Sequence, residues 1–286
     1  MNPENNFASW EEAVEWLRSQ PDQKQLVDDC YYDDPLSRAA ERYWLSDEWR
    51  AVRDFLDNPR GKKALDVGAG RGIASYALAK EGYSVSALEP DPGKIVGAGA
   101  IRSLAKDANL PITVMEEFSE KLPFGDASFD LVFARAVLHH TEDLEQACRE
   151  FFRVLKPGGR LIAIREHVLS KKEDLPIFLE QHPLHKLYGG ENAFLLDEYI
   201  SSIENAGFSK LEVLSPWKSP MNFAPYSLES LKQELSQRVG QKLPGFKGIT
   251  RLLLNLPGLW PLLRWLLETM DHRPGRLYSF IAVRHS

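Results

Sequence analysis

The glycine-rich run DVGAGRG at residues 66–72 constrains the fold of this chain more than any other feature. It follows a short apolar run at residues 64–67 and precedes a helical pattern over residues 73–80. Glycines at such a junction let the backbone turn sharply and approach a ligand closely. In an open parallel sheet, this loop lies at the carboxyl ends of the strands, where ligands bind. The run therefore predicts an α/β chain with a ligand site at this loop.

Strand and helix patterns alternate through the rest of the middle of the chain. Further strands are predicted at residues 83–88, 112–115, 129–133, 161–164, 211–214 and 276–284. Helices are predicted between them at residues 92–108, 144–155 and 197–207, the last with Asp197 as its cap. Strands that alternate with helices form a parallel sheet covered on both faces.

Two regions outside this alternation complete the predicted domain organisation. Residues 1–60 form a helical, aromatic-rich N-terminal cap, residues 61–216 the core, residues 217–275 an insertion, and residues 276–286 the closing strand. The insertion is too long for a plain loop and contains the apolar run ITRLLLNLPGLWPLLRWLLE at residues 249–268. Arginines and prolines interrupt this run, which argues against a membrane span. Two short amphipathic helices hinged at residues 256–258 fit the pattern better.

Charge and cysteine content narrow the class of protein. The net charge is -6, but residues 238–284 carry eight basic and two acidic side chains. An acidic chain argues against a nucleic-acid partner, whereas a basic stretch on an acidic body indicates some other partner. Two cysteines, Cys30 and Cys148, are too few for a disulfide scaffold or a cysteine-based zinc site. The N-terminus shows no signal-peptide pattern, so a cytoplasmic protein is expected.

An acidic residue at the end of the second strand indicates the kind of cofactor. Glu89 follows Gly68 by 21 residues, and a carboxylate there can accept hydrogen bonds from both ribose hydroxyls. A dinucleotide loop has the spacing G-x-G-x-x-G, but here the spacing is G-x-G-x-G and Ile73 takes the place of the third glycine. Asp66 before the loop would repel a pyrophosphate and suits an ammonium group. The pattern predicts a nucleoside-containing cofactor with a cationic end.

Four segments in order resemble the class I S-adenosylmethionine-dependent methyltransferases: ALDVGAGRG, SALEPDP, LPFGDASFDLVFARAVLHH and FFRVLKPGGRLIAI. The resemblance covers roughly residues 62–215 and the closing strand. It implies a Rossmann-like seven-stranded sheet, parallel with an antiparallel closing strand. It also implies S-adenosylmethionine as the cofactor and S-adenosylhomocysteine as the product.

The same resemblance implies a set of cofactor contacts. The loop and Asp66 would line the methionine end, Glu89 would hold the ribose, and a tyrosine of the cap would reach the methionine carboxylate. Phe118 stands where the family usually has an acidic residue, so we expect Phe118 to pack on the adenine and Glu117 or the Ser119 backbone to meet its amino group. The implied cofactor-binding residues are Asp66, Gly68, Ala69, Gly70, Glu89, Pro90, Glu117, Phe118, Ala134, Arg135 and Tyr32.

Candidate catalytic residues follow the fourth and fifth strands. Methyl transfer from a sulfonium mainly needs alignment, and a hydroxyl acceptor also needs a base. His167 is the first candidate, because the end of the fifth strand faces the acceptor in this fold. His140 and Glu166 are the other two candidates for catalysis. The alternative for His167 is a strand-end histidine held in a hydrogen bond.

A polar and aromatic loop supplies the remaining candidates. His139, His182, His185 and Tyr188 are predicted to contact the acceptor, with Tyr188 in a loop that closes over it. His182 and His185 could also bind a metal together with Glu166 or His167. Loop histidines are usually not ligands, so no metal is expected.

The insertion leaves three alternatives open. It could cap a lipid, polyketide or aromatic acceptor. It could place residues 249–268 in a membrane interface at the inner membrane face, with its basic side chains on anionic head groups. It could also complete the core or form a dimer surface, and the oligomeric state stays open.

These features together predict a methyltransferase that acts on a small molecule, by O-methylation of a sugar, lipid-linked or natural-product-like acceptor. The alternatives are a nicotinamide-dependent oxidoreductase, which the glycine spacing disfavours, and a non-catalytic cofactor-binding module.

Overall fold

The computed structural model describes residues 7, 9–243, 247–256 and 258–285. The first six residues of the predicted cap therefore lie outside the described residues, as do residue 8, residues 244–246 and Pro257 of the predicted insertion, and residue 286.

A central sheet organises the described chain. Its strands are β1 (Lys63–Val67), β2 (Ser84–Leu88), β3 (Ile112–Met115), β4 (Phe129–Arg135), β5 (Leu155–Leu169), β6 (Phe194–Leu195), β7 (Phe208–Leu214) and β8 (Arg276–Arg284). The order across the sheet is β3-β2-β1-β4-β5-β8-β7, and β6 pairs with the end of β5. β8 is antiparallel to β5 and β7, whereas β1 to β5 pair in parallel. The predicted Rossmann-like α/β fold with an antiparallel closing strand is confirmed; the two-residue β6 makes eight strands instead of seven.

Helices cover both faces of the sheet and form the cap and the insertion. They are α1 (Trp10–Ser19), α2 (Lys24–Asp29), α3 (Leu36–Trp44), α4 (Asp47–Arg53), α5 (Ile73–Glu81), α6 (Ala98–Asp107), α7 (Leu144–Val154), α8 (Leu175–Gln181), α9 (Pro183–Leu187), α10 (Leu196–Asn205), α11 (Pro220–Phe223), α12 (Leu228–Lys242), α13 (Lys247–Leu254) and α14 (Leu259–Met270). One apolar cluster joins α3, α4 and α5 to one face of the sheet, and a second joins α7 and α10 to the other.

Two helix starts differ from the sequence-based prediction. α6 begins at Ala98 and not near Pro92, because Arg71 Nε donates to the Ile95 carbonyl and the Gly93 amide donates to Asp91. These contacts hold the residues before α6 as a loop. Leu195, and not Asp197, is the cap of α10, and its amide donates to the Glu198 carboxylate.

A buried ion-pair network fastens the cap to the sheet. The Glu48 carboxylate on α4 is 1% exposed and lies 2.6 Å from Arg135 Nε and 3.6 Å from Arg165 Nη1. Arg135 ends β4, and Arg165 interrupts β5 with a φ of 61°. The Arg165 guanidinium also donates to the Ala224 carbonyl, 3.1 Å away, just after α11. One carboxylate therefore joins the cap, two strands and the start of the insertion.

The insertion leaves much apolar surface on α13 and α14. Their exposed apolar side chains are Ile249, Leu252, Leu253, Leu262, Trp265, Leu266 and Met270. No helix within the described ranges is both long enough and apolar enough to cross a bilayer.

Glu48→Gln tests the network, because it removes one buried charge between two partly buried guanidinium groups at nearly constant side-chain size. Breaking a buried ion pair by removing one partner costs about 3–5 kcal/mol. We expect the free energy of unfolding, measured by urea denaturation with tryptophan fluorescence at pH 7, to fall by that order. The matched control Glu145→Gln breaks an exposed pair with Arg149 on α7 and should cost no more than about 1 kcal/mol. Equal losses in both variants would contradict this role of Glu48.

Candidate active site

The glycine loop joins β1 to α5 at the point where the strand order reverses, between β1 and β4. Gly68, Gly70 and Gly72 all have a positive φ, of 58°, 55° and 81°. A side chain at Gly68 would approach the Val137 side chain to 2.7 Å, whereas the space beside Gly70 is open. The loop thus has the left-handed backbone that favours glycine and a free edge at the crevice where ligands bind in such sheets.

Two buried carboxylates face this loop from β1 and β2. Glu89 accepts a hydrogen bond from the Gly70 amide at 2.7 Å and from the Asp91 amide at 3.0 Å. Asp66 is 1% exposed and accepts from Ser75 Oγ at 2.5 Å. Burial raises the pKa of Asp66 to about 7, although the bond from Ser75 opposes this, and burial also raises the pKa of Glu89. A cofactor with ribose hydroxyls and a cationic end fits these two groups.

The other predicted cofactor contacts lie along the same edge of the sheet. Ala134 is buried at the end of β4, and the Arg135 side chain turns away to Glu48. Glu117 and Phe118 follow β3, and Phe118 is 69% exposed. Tyr32 lies in the cap, with its ring edge against Trp10 at 5.9 Å. Ala69 is buried in the glycine loop, and Pro90 directly follows Glu89. These positions are compatible with the predicted cofactor contacts, and the roles of the residues stay predictions.

A cluster of histidines lies at the ends of β4 and β5. His139 and His140 lie in the short turn Leu138–His140, and His167 belongs to β5. The ring of His139 lies 4.2 Å from that of His140 and 4.7 Å from that of His167, and the rings of His167 and His182 are 5.1 Å apart. We call His139, His140, His167, His182 and Glu191 the histidine cluster.

Glu166 supports the histidine cluster from the interior of the protein, and its side chain does not face an open site. Its side chain is fully buried. One oxygen accepts from the Val137 amide at 3.1 Å, and the other accepts from the His139 amide at 3.1 Å and lies 2.7 Å from His139 Nδ1. Since both oxygens have partners, Glu166 fits a positioning residue better than an acid or base at the acceptor.

Glu191 is a member of the cluster that sequence reasoning missed. Its carboxylate lies 3.5 Å from His139 Nε2, 3.8 Å from His140 Nε2 and 3.7 Å from His182 Nδ1. Burial alone would raise the pKa of Glu191, but the histidines, His139 first, lower it to about 2. Burial would lower the pKa of His139, but Glu166 and Glu191 raise it to about 9. The only signal in the sequence is an acid directly after the Gly189-Gly190 pair.

The remaining histidines and Tyr188 differ in their surroundings. His167 Nδ1 lies 2.9 Å from the Gly275 carbonyl, and burial together with His139 holds the pKa of His167 well below its usual range. His140 Nδ1 lies 2.9 Å from the Gly190 carbonyl. The His185 amide donates to His182 Nδ1 at 3.3 Å, so His185 meets the cluster through its backbone. Tyr188 is 47% exposed and packs on Trp10 at 5.4 Å, which brings the loop to the cap.

A cavity of about 420 Å³ lies between the insertion and the edge of the sheet near β8. Its apolar wall contains Trp217, Phe223, Tyr226, Leu231, Leu235 and Leu277. The carboxyl ends of β5 and β7 and the start of β8 lie at the same edge of the sheet as the glycine loop. The lining residue Gly275 contacts His167, and Gln181, also in the wall, precedes His182. The cavity therefore adjoins the histidine cluster at His167 and His182. Val137 links the cluster to the glycine loop, because its amide donates to Glu166 and its side chain lies against Gly68.

Comparison with solved structures agrees with this fold. The chain is similar to a protein of Galdieria sulphuraria provisionally assigned as a sarcosine dimethylglycine methyltransferase, with a TM-score of 0.57 and 22% identity over 90% of this chain and 91% of that one. It is also similar to a phosphoethanolamine N-methyltransferase of Haemonchus contortus in complex with S-adenosylmethionine, with a TM-score of 0.55 and 21% identity over 92% of this chain and 60% of that one. The cyclase SpnF has the same fold at a TM-score of 0.52 and 19% identity, over 87% of this chain and 81% of its own. Fold alone therefore does not fix the reaction.

Relatives in sequence identify the family more specifically than the shared fold does. Residues 65–163 match the family described as a methyltransferase domain. A demethylmenaquinone methyltransferase of Chlorobaculum tepidum is 31% identical over 208 residues, which cover 66% of this chain and 80% of the relative. The enzyme of the same name from Mycobacterium tuberculosis is 35% identical over 127 residues, or 44% of this chain and 49% of that enzyme. Together with the fold and the loop geometry, these relatives show that the chain belongs to the class I S-adenosylmethionine-dependent methyltransferases.

Proposed function

We propose that this methyltransferase transfers the methyl group of S-adenosylmethionine to a hydroxyl oxygen of an apolar small molecule. The observation that carries the proposal is the position of the histidine cluster, which adjoins the wall of the cavity beneath the insertion and is linked to the glycine loop through Val137. An acceptor in that cavity would present its hydroxyl to the cluster on the side of the cofactor.

The proposed cofactor contacts are based on the two buried carboxylates at the glycine loop. Glu89 would hold the ribose hydroxyls, Asp66 would balance the cationic methionine end, and Phe118 would cover the adenine. When bound, S-adenosylmethionine supplies a methyl group whose bond to sulfur breaks with the electron pair left on sulfur. The acceptor oxygen forms the new bond to carbon and its proton leaves for solvent, so the products are a methyl ether and S-adenosylhomocysteine.

The lining of the cavity beneath the insertion favours an apolar acceptor over a sugar. A cavity of about 420 Å³ is in the range of small-molecule sites, which are mostly apolar with a few polar groups. Arg238, Arg273 and Arg276 and the acidic Glu234 are the charged members of a wall that is otherwise rich in aromatic and aliphatic side chains. The relatives named as demethylmenaquinone methyltransferases act, by that name, on demethylmenaquinone. Demethylmenaquinone is therefore a reasonable first compound to test.

The histidine cluster is proposed to favour loss of the hydroxyl proton. His140 and His167 each have Nδ1 next to a backbone carbonyl, so Nε2 is the nitrogen with a free lone pair on both rings. Glu166 acts through His139, whose ring and amide it holds. Tyr188 and the cap would close over the bound acceptor.

We also propose that α13 and α14 meet a membrane surface from which an apolar acceptor is taken. Their exposed leucines and Trp265 lie in a region with an excess of basic side chains. Apolar side chains in the interface and cations on anionic head groups act together in such contacts. The proposed occupant of this surface is an anionic bilayer.

Methyl transfer from labelled S-adenosylmethionine tests the acceptor class. Purified protein is incubated with demethylmenaquinone, reduced and oxidised, and with cell extract, and label is counted in organic-soluble, small aqueous and macromolecular fractions. We expect label in the organic-soluble fraction, as a methyl ether formed only from the reduced compound, because the oxidised quinone has no hydroxyl. A product methylated on a ring carbon has the same mass as the ether, so NMR is used to tell them apart; a ring-methylated product would contradict transfer to oxygen. His140→Ala and His167→Ala should lower kcat by about 10²-fold or more and keep S-adenosylhomocysteine binding. Label confined to the small aqueous fraction would indicate a sugar-like acceptor and contradict the proposal.

Glu89→Gln tests the cofactor side. A hydrogen bond to a charged group contributes about 1.5–3 kcal/mol, so the variant should bind S-adenosylmethionine about 10-fold to 100-fold more weakly in isothermal titration calorimetry. Asp107→Asn, at the exposed end of α6, removes a carboxylate far from the loop and should bind as the parent does. Unchanged affinity in Glu89→Gln would place the ribose elsewhere.

Co-sedimentation with vesicles tests the membrane surface. Vesicles of phosphatidylglycerol and phosphatidylcholine should carry down the parent protein, less so at high salt. The pair Leu252→Glu and Leu266→Glu should abolish binding, because it places charges in the apolar face. Ser201→Glu on α10, outside the insertion, is the control. Equal binding by all variants, or none by the parent, would contradict this surface.

A further inference from the structure

We propose that His139 Nε2, His167 Nε2 and the Glu191 carboxylate form a binding site for a divalent transition-metal ion, with Zn²⁺ as the ion that fits best. The site lies within the histidine cluster at the ends of β4 and β5. It replaces the sequence-based expectation of no metal, which did not take Glu191 into account.

The three groups converge from separate parts of the chain. One ligand atom from each lies within 4.8 Å of the other two, and His139 Nε2 is 3.5 Å from Glu191 Oε2. Zinc bonds of about 2.0–2.1 Å in a tetrahedral arrangement place ligand atoms about 3.4 Å apart. The pair of His139 and Glu191 already has about this spacing. The distances to His167, which are at most 4.8 Å, must shorten by up to about 1.4 Å for zinc bonds of that length.

The opposite ring nitrogens have the partners that metal-binding histidines need. His139 Nδ1 lies 2.7 Å from the Glu166 carboxylate, and His167 Nδ1 lies 2.9 Å from the Gly275 carbonyl. Each contact places a proton on Nδ1. The Nε2 lone pair of His167 is then free for a ligand bond, and a metal ion at His139 Nε2 would displace the second proton of that ring. A carboxylate or a backbone carbonyl behind the ring is the usual support of a metal-binding histidine.

The Glu191 carboxylate has an oxygen without a hydrogen bond. Oε2 is buried, and no residue that the structure describes donates a hydrogen bond to it. A buried carboxylate oxygen in that state is costly. The titratable groups that face it are His139 at 3.5 Å and His140 at 3.8 Å, whereas His182 lies 3.7 Å from the other oxygen, Oε1. A metal ion would satisfy this oxygen directly.

The donor set selects the class of ion and its coordination. Imidazole and carboxylate together suit zinc and other first-row transition ions, whereas Mg²⁺ and Ca²⁺ prefer oxygen ligands alone. Three protein ligands leave a position for water or substrate, as in catalytic zinc sites. His182 is not a ligand, because its Nδ1 accepts the His185 amide and its proton then lies on Nε2.

The open position gives the ion a role that rests on the proposed function. A hydroxyl oxygen of the acceptor bound there would lose its proton more easily, as water does on zinc. The oxygen then attacks the methyl carbon, the carbon–sulfur bond breaks, and the proton passes to solvent. The ion thereby promotes loss of the hydroxyl proton in place of His167, whose Nε2 lone pair it occupies.

Metal binding to the full chain tests the site without reference to activity. Protein stripped with chelator is titrated with Zn²⁺ by calorimetry, bound metal is counted by mass spectrometry, and Co²⁺ provides a visible d–d spectrum. We expect one ion per chain. Glu191→Gln and His167→Ala should each weaken binding by more than about 100-fold, and Glu166→Gln by about 10-fold to 100-fold. His272→Gln, an exposed histidine outside the cluster, should bind as the parent does.

Binding of S-adenosylhomocysteine by each variant shows that it is folded and separates the two proposals. Less than about a tenth of an ion per parent chain, or equal binding in Glu191→Gln, would overturn the metal site; the cluster would then be a protonated His139 between two carboxylates. Zinc binding with no transfer to any hydroxyl acceptor would overturn the proposed function and leave the metal site standing.

Discussion

The buried carboxylate of Glu48 is the contact on which the arrangement of the active site depends. It lies between Arg135 at the end of β4 and Arg165 in β5, and these two strands carry the turn with His139 and the strand position of His167. Both guanidinium groups are largely removed from water, with side-chain exposures of 18% and 19%, and they need a counter-charge, so α4 must dock for both strand ends to be stable. The cap is thus part of the core that positions the site, even though it precedes the glycine loop in the chain.

A bulge in β5 makes this arrangement compatible with the histidine cluster. The register with β8 breaks between Ala163 and Glu166, and Arg165 has a positive φ there. Such a break redirects side chains that would otherwise alternate regularly. Arg165 reaches the cap, Glu166 reaches the turn after β4, and the next residue, His167, faces the cluster. A non-glycine residue in this conformation stores strain, which the contacts of Arg165 with Glu48 and Ala224 offset.

Local patterns predicted the sheet and the glycine loop, because strand, turn and helix signals there are contiguous in sequence. Glu89 was recognisable for the same reason, as an acid at the end of the next strand. Glu48 and Glu191 were not recognisable from the sequence, because each contacts residues that are distant along the chain. Glu48, for example, lies 87 positions before Arg135. The start of α6 was also missed, since a long-range bond from Arg71 to the Ile95 carbonyl competes with the local helix signal of Pro92. The histidines were identified individually, but only the fold shows that they surround one carboxylate.

Arg71 lies within the glycine loop, yet its side chain belongs to the cap. Its guanidinium is 6% exposed and donates to the Tyr31 carbonyl at 2.7 Å, to the Asp33 carbonyl at 3.0 Å and to the Asp34 carboxylate at 2.6 Å. A cap exchanged between related enzymes would leave this cation buried without acceptors unless position 71 changed with it. The N-terminal region and the loop are therefore constrained to diverge together. A new cap grafted onto this core would require a new residue at position 71, within the glycine loop.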